Sequence, residues 1–253
     1  MKNYEKRLTD AEFNRLYGDA YYRRFDGAEH GYSVSSVINP LRKWIRREQV
    51  LLDLVKLNGE EVVIEAGSAA GSLSLILARH SRKVIGVDLS PVAVELARRQ
   101  AQRLETTNVE FHVSSIADFS FVPAGSIDRV VAFDIVEHVY NDVLRGFFQE
   151  SARVLKSGGY LCLYTPNLNH YVERLKQHSL LIAQAPDHIA VRNWQMIDEQ
   201  RLVSGAALRL ETLYAIESPY PVARYIDRLL MRLPGVGQLF QWRICARLVK
   251  CPG

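Results

Sequence analysis

The pattern of apolar and polar positions changes character near residue 60. Before that point Leu41, Trp44, Ile45, Leu51, Leu52 and Val55 recur at mostly helical spacing across 40–57. Arg42, Lys43, Arg46 and Arg47 fall between them and read as the solvated face of an amphipathic helix. Residues 1–58, rich in Tyr, Arg and Glu, are expected to form a helical cover. From residue 61 short apolar runs alternate with helical stretches. Strands are expected at 61–65, 83–88, 109–113, 127–134 and 160–165, with helices at 71–80, 91–104 and 139–155. Ser90 is placed to cap the helix that Pro91 opens. Buried strands alternating with helices predict a parallel sheet covered on both faces, joined by right-handed crossovers.

The pattern is less regular after residue 165. An inserted helix is expected over 167–185, another over 198–204, a sixth strand over 208–216 and a helix over 222–233 that ends in a turn at 234–237. Residues 244–250 suit either a last helix or a final strand. The C-terminal stretch mixes Arg224, Arg228, Arg232, Arg243 and Arg247 with large apolar residues. Two readings stand: a basic, aromatic surface laid on anionic lipid, or packing across the sheet with the arginines outward.

Composition narrows the class without naming a function. A chain of 253 residues with 48% hydrophobic content can bury one large core, or one core and a small lid. The net charge of +4 is too small to argue for nucleic acid, so none is expected as a partner; it permits an acidic substrate or peripheral contact with an anionic membrane. Three cysteines without CxxC spacing indicate a reduced, intracellular setting. The N-terminus is charged and lacks a signal-peptide core, and no apolar run is long enough to span a bilayer. The expected location is the cytoplasm, at most peripheral to the inner face of a membrane.

Chemistry concentrates in two places. Glu65-Ala66-Gly67-Ser68-Ala69-Ala70-Gly71 follows a strand and opens a helix, a turn that lets backbone amides approach a ligand closely. The next strand ends in Asp88, a carboxylate able to accept hydrogen bonds from a ribose diol. Together they indicate an adenosine-containing cofactor. Spacing then discriminates, because a dinucleotide fingerprint needs a third glycine where Ser72 stands. Glu65, two residues before the first glycine, sits poorly beside a pyrophosphate and suits a ligand carrying an ammonium and a sulfonium. An NAD-dependent dehydrogenase is therefore disfavoured.

Residues 61–167 resemble the class I, Rossmann-like, S-adenosylmethionine-dependent methyltransferases, nearest the ubiquinone-biosynthesis-type O-methyltransferases. The resemblance rests on VVIEAGSAAG, VIGVDLS, FDIVEHV and RVLKSGGYLCLYTPN, in that order. A weaker echo runs through Asp187-His188-Ile189 and 198–204, the place of that family's acceptor-side lid. It implies S-adenosyl-L-methionine as cofactor, with Glu65, Ala66, Gly67, Ser68 and Gly71 forming the turn, Glu65 and Gly67 facing the methionine end and Asp88 the ribose. Leu89 would cover the adenine face, Ser115 and Ile116 its edge, and Asp134 would close the site near the methionine amino group. Two departures stand out. The family's middle glycine is Ala69, and the acid after the third strand is Ser115, with Asp118 the fallback.

The fold expected is a seven-stranded, mostly parallel α/β sheet flanked by helices: a cover at 1–58, a cofactor-binding domain at 59–217 with a lid insertion at 167–197, and an extension at 218–253. The expected reaction is methyl transfer to an oxygen of a small-molecule acceptor. Nitrogen or carbon methylation, or a non-catalytic binding module, are the alternatives. An oxygen acceptor needs a base, and His138 and His188 are the candidates, with His30 behind them. Asp134, Glu137 and His138 are spaced to ligate a divalent metal, but a helix cap, Asp134 as N-cap with Glu137 reaching back, is preferred and no metal is expected.

Overall fold

A computed structural model of the chain describes residues 40–178, 189–219 and 221–252. The first half runs α1 (Pro40–Val55), β1 (Val62–Ala66), α2 (Ser72–Ala78), β2 (Lys83–Asp88), α3 (Pro91–Arg103), β3 (Val109–Val113) and β4 (Ile127–Phe133). The second half runs α4 (Asn141–Val154), β5 (Leu155–Pro166), α5 (Tyr171–His178), α6 (Trp194–Ser204), β6 (Leu208–Ile216), α7 (Pro221–Leu230) and β7 (Arg243–Lys250). Short 3-10 turns occupy Val136–His138 and Gly237–Phe240.

The seven strands of the described residues form one sheet in the order β3-β2-β1-β4-β5-β7-β6. The pairs from β3 through β5 are parallel, and β7 runs antiparallel to both β5 and β6. Strand order reverses between β1 and β4, where the loops leaving their carboxyl ends diverge and open a crevice.

The period of two along each strand sorts the core into two layers. Ile64, Val130, Leu161, Leu163, Ile244, Ala246 and Leu248 face Leu144, Phe147 and Phe148 of α4 and Ile197 of α6. Val63, Val131, Phe133, Cys162, Tyr164 and Cys245 face Leu51, Leu54 and Val55 of α1 and Leu73 and Leu77 of α2. Cys162 is core, as its place on a buried strand suggests, and burial pushes its thiol up to about 12.

The open choice at 244–250 resolves as strand. The outward arginines do not hold at two positions, because alternation along β7 sends Arg243 and Arg247 inward. Arg247 donates to the carbonyl of Leu54 (3.1 Å) and the hydroxyl of Thr212 (3.2 Å), and pairs with Glu211. Arg129 donates to the carbonyls of Val55 (3.0 Å) and Lys56 (3.4 Å). Both guanidinium groups lie over the Tyr160 ring. Two cations thus finish the C-terminal turn of α1, where unpaired carbonyls and the helix dipole favour positive charge.

Other boundaries shift for local reasons. Helix α6 starts at Trp194, four residues before the expected start, because Asn193 Oδ1 accepts from the Met196 N–H (3.0 Å) and caps it. Of the helix expected at 167–185, Tyr171–His178 is seen. Residues 167–170 form a turn instead of helix, with the His170 N–H on the Asn167 carbonyl (3.0 Å), while 179–185, the cover before residue 40, and the candidates His30, Asp187 and His188 lie outside the described residues.

Arg247→Met keeps the volume but leaves Glu211 without this cation and the Leu54 carbonyl with only the weak Cys162 thiol donor (3.5 Å). A loss of about 2 kcal/mol is expected in urea denaturation. A change within experimental error would show that the cap is not structural.

Candidate active site at the carboxyl edge of the sheet

The glycine-rich turn is held by backbone bonds. The N–H groups of Gly67 and Ser68 both donate to the Val87 carbonyl, at 2.8 and 2.9 Å, binding the end of β1 to β2. Gly67 has φ +77°, and a Cβ there would lie 2.7 Å from Ile135 Cγ1, so only glycine fits against the loop after β4. Gly71 (φ +84°) meets a similar limit against Ala97 and Phe111. Gly86, within β2, leaves room for the Phe111 ring and Ser68, a requirement that the glycine inside KVIGVD signals.

Asp88 supports this turn from the next strand. One carboxylate oxygen accepts from the Ala69 N–H and the other from the Ser90 N–H, each at 2.9 Å. Ala69 sits at φ +45°, a left-handed conformation costing roughly 1 kcal/mol for a residue with a Cβ. The Asp88 bond helps to hold it there. Burial pushes the Asp88 carboxyl above its ordinary range, against the lowering effect of the Ser90 and Ala69 N–H groups and of His138. Leu89 beside it is 55% exposed, an apolar surface at the edge of the crevice.

Glu65 lies on the α2 face of β1, buried, where its Oε2 accepts from the Ser74 hydroxyl. Part of its role is therefore to anchor α2. Ala66 and Ile116 pack in the opposite layer, and Ser68 is buried under the turn. Ser115, half-buried just past β3, accepts from the Ala117 N–H (3.2 Å), while Ser114 N–H donates to the Asp88 carbonyl (3.0 Å). Asp118 is exposed and accepts from the Ser120 N–H (3.0 Å), turned to its own loop.

The loop after β4 holds a polar cluster. Asp134 (φ +55°) pairs with Arg243, whose Nη1 also lies 3.7 Å from Glu137 Oε1. Thr165 donates to Glu137 Oε2 at 3.0 Å. The helix cap expected here is not formed: Ile135 precedes the 3-10 turn, no side chain caps it, and both carboxylates turn to Arg243 instead. Among the described residues, no group of three His, Cys, Asp or Glu has the arrangement of a metal site. Glu137 is buried with Asp134 beside it, and its carboxyl is pushed up to about 7, desolvation first and Asp134 second, against the pull of His138 and Arg243. His138 is half-buried at the end of this turn, its N–H on the Ile135 carbonyl at 2.9 Å.

Arg192 fixes the same loop from the far side. It is buried and donates to the carbonyls of Val136 (2.6 Å), Val139 (2.8 Å) and Ala190 (3.0 Å) and to Asn141 Oδ1 (2.9 Å). Ala190 N–H closes the circuit on the Glu137 carbonyl at 2.9 Å. No local pattern marks Arg192, Arg243 or Thr165, since each bonds to this loop from at least 28 positions away.

A methyltransferase-domain family matches residues 57–212, more than half of the chain. The chain belongs to this S-adenosylmethionine-dependent methyltransferase family. It is 33% identical over 105 residues to a ubiquinone biosynthesis O-methyltransferase of Xanthomonas oryzae (42% of this chain, 43% of that protein). It is 31% identical over 169 residues to an S-adenosyl-L-methionine-dependent Diels-Alderase of Talaromyces variabilis (63% and 56%). An uncharacterized RNA methyltransferase of Bacillus cereus is also 31% identical over 169 residues (57% and 36%). The chain spans roughly a third to just over half the length of these curated relatives. In fold it is similar to a Pyrococcus horikoshii protein (TM-score 0.65, 20% identity, 92% of this chain and 99% of that one). It is also similar to a geranyl diphosphate C-methyltransferase of Streptomyces coelicolor solved with S-adenosyl-L-homocysteine (TM-score 0.61, 20% identity, 89% and 90%).

The Glu137 carboxyl sets a pH dependence. Its folded pKa, about 7, lies above its ordinary 4.5, so between those values the folded chain binds the proton more tightly than the unfolded one. Its stabilising contribution is therefore complete below about 4.5 and falls as pH rises to about 7, by at most about 3 kcal/mol. Glu137→Gln keeps an acceptor for Thr165 and removes the titration. Melting curves between pH 5 and 8 should show the variant gaining on the wild type as pH rises, and a constant difference would contradict the assignment.

Proposed function

We propose that the chain transfers a methyl group from S-adenosylmethionine to an oxygen of a small molecule. The observation that carries the cofactor half is the Asp88 carboxylate, fixed by two backbone donors between the glycine turn and exposed Leu89. Each of its oxygens has lone-pair capacity beyond that one bond, as a ribose diol requires, and Leu89 offers an apolar face to an adenine ring. In this reading Gly67 and Glu65 serve the methionine end, Ser115 and Ile116 the adenine edge and Asp134 the amino group. The paired Arg243 moderates the Asp134 charge.

S-adenosylmethionine brings a methyl group already activated on a sulfonium, so the chain has to align, desolvate and remove a proton. His138 is assigned as the base that takes the hydroxyl proton of the acceptor. It shares the electrostatic field of Asp88 and Glu137, and Arg192 and the Ile135 carbonyl hold its backbone. Glu137 is assigned to positioning, buried behind His138 and Thr165. His188 keeps its candidacy as a second base from the sequence alone. The Diels-Alderase among the relatives favours one further reading, cofactor binding without methyl transfer.

Two measurements separate these readings. Calorimetric titration with S-adenosylhomocysteine should give micromolar binding that Asp88→Ala abolishes, with no competing preference for NADH. Preference for NADH would end the proposal. With an acceptor in hand, His138→Ala should lower kcat about 10²- to 10⁴-fold while leaving S-adenosylhomocysteine affinity unchanged. Unchanged kcat would remove His138 as the base, and acceptor conversion without formation of S-adenosylhomocysteine would favour the non-transferring reading.

A further inference from the structure

Helix α7 has its polarity reversed relative to a core-packing helix. Its one acidic residue, Asp227, is completely buried on the inner side, where it accepts from the Ser218 N–H (2.9 Å) and lies 3.4 Å from Nε2 of His170, also completely buried. Val222, Tyr225, Ile226 and Leu229 follow the i, i+3, i+4, i+7 spacing of a single helical stripe, and that stripe faces outward. Val222 is 75%, Tyr225 76% and Leu229 74% exposed. The turn after the helix adds Leu233 and Val236, both exposed. Turning the stripe inward would strand the Asp227 carboxylate away from Ser218 and His170, so the pairing fixes the orientation.

Charge selects the occupant. Arg224 and Arg228 lie one turn apart on α7, Arg232 follows just past its end, and Arg228 and Arg232 are exposed. Asp227 is the only acidic residue in 221–236, and it is turned inward, so the charge presented beside the stripe is positive. A second copy of the same face would set arginines against arginines. An anionic bilayer surface complements both features, taking apolar side chains at the acyl boundary and guanidinium groups at the phosphates. We infer that α7 and the turn after it dock this chain on an anionic lipid surface. The inference stands on α7 and its inner contacts and does not depend on the methyl-transfer reading.

Co-sedimentation of the full chain with vesicles of phosphatidylcholine, alone or mixed with phosphatidylglycerol, tests it. Binding is expected to the mixed vesicles only and should weaken as salt is raised. The double substitution Tyr225→Ser with Leu229→Ser should reduce partition about 10-fold or more. Arg228→Ser with Arg232→Ser should reduce it roughly 5-fold per charge. All four side chains are exposed, so both variants should keep the wild-type melting temperature and circular dichroism spectrum. Three results would overturn the inference: no binding to mixed vesicles, binding that survives both double substitutions, or a concentration-dependent dimer that Leu229→Ser dissolves.

Discussion

The close approach of Gly67 to Ile135 is the contact around which the site is arranged. Strands β1 and β4 are neighbours in the sheet, but the chain leaves their carboxyl ends in opposite directions. The two loops have to touch at their roots before they diverge, and a side chain at 67 would overlap Ile135. Glycine permits both that approach and the positive φ. From this contact one loop runs to Asp88 through Ala69, and the other to Arg243 and Thr165 through Asp134 and Glu137.

The two sides of the crevice are built by different means. On the side of the glycine-rich turn most fixing bonds run from backbone N–H groups to carbonyls or to the Asp88 carboxylate, over short spans of chain. On the side of His138 they come from distant cations. Arg243 is shared between two carboxylates and flanked by the Trp242 and Tyr164 rings, a setting that suits guanidinium more than ammonium. Glu137 is fully buried and shares that one cation with half-buried Asp134, so desolvation first and the Asp134 charge second keep the Glu137 proton up to about pH 7.

This division explains what could be read from the sequence. The turn from Glu65 to Gly71, the acid at 88 and the five strands through residue 165 are encoded in contiguous patterns, and the structure follows them closely. The clamp on His138 is assembled from β5, β7 and the segment before α6, and no local pattern announces that Thr165, Arg243 and Arg192 converge. Arginines in a basic C-terminal stretch suggest a wet surface, yet alternation along a central strand forces Arg247 into the layer under α1, where carbonyls await it. Helix α7 fails differently. Its apolar spacing is legible, but spacing is the same whether a stripe faces the core or solvent, and the pair Asp227–His170 that decides between them joins residues 57 positions apart.

The same division bears on why one family supports several chemistries. The matched segment, 57–212, contains the glycine-rich turn, Asp88 and the loop of His138. Relatives similar to part of this chain are named as an O-methyltransferase, an RNA methyltransferase and a Diels-Alderase. A turn held together through its own backbone places few demands on the far side of the crevice, so that side can change without disturbing it. What can vary is the other wall of the crevice, where the turn Val136–His138 meets Thr165 and Ala190. In this chain that wall is braced by Arg192 through the carbonyls on both sides of Glu137 and His138. A brace on backbone carbonyls holds the path of the loop whatever side chains the loop carries. Side chains at 137 and 138 can therefore differ while the backbone path of the loop persists.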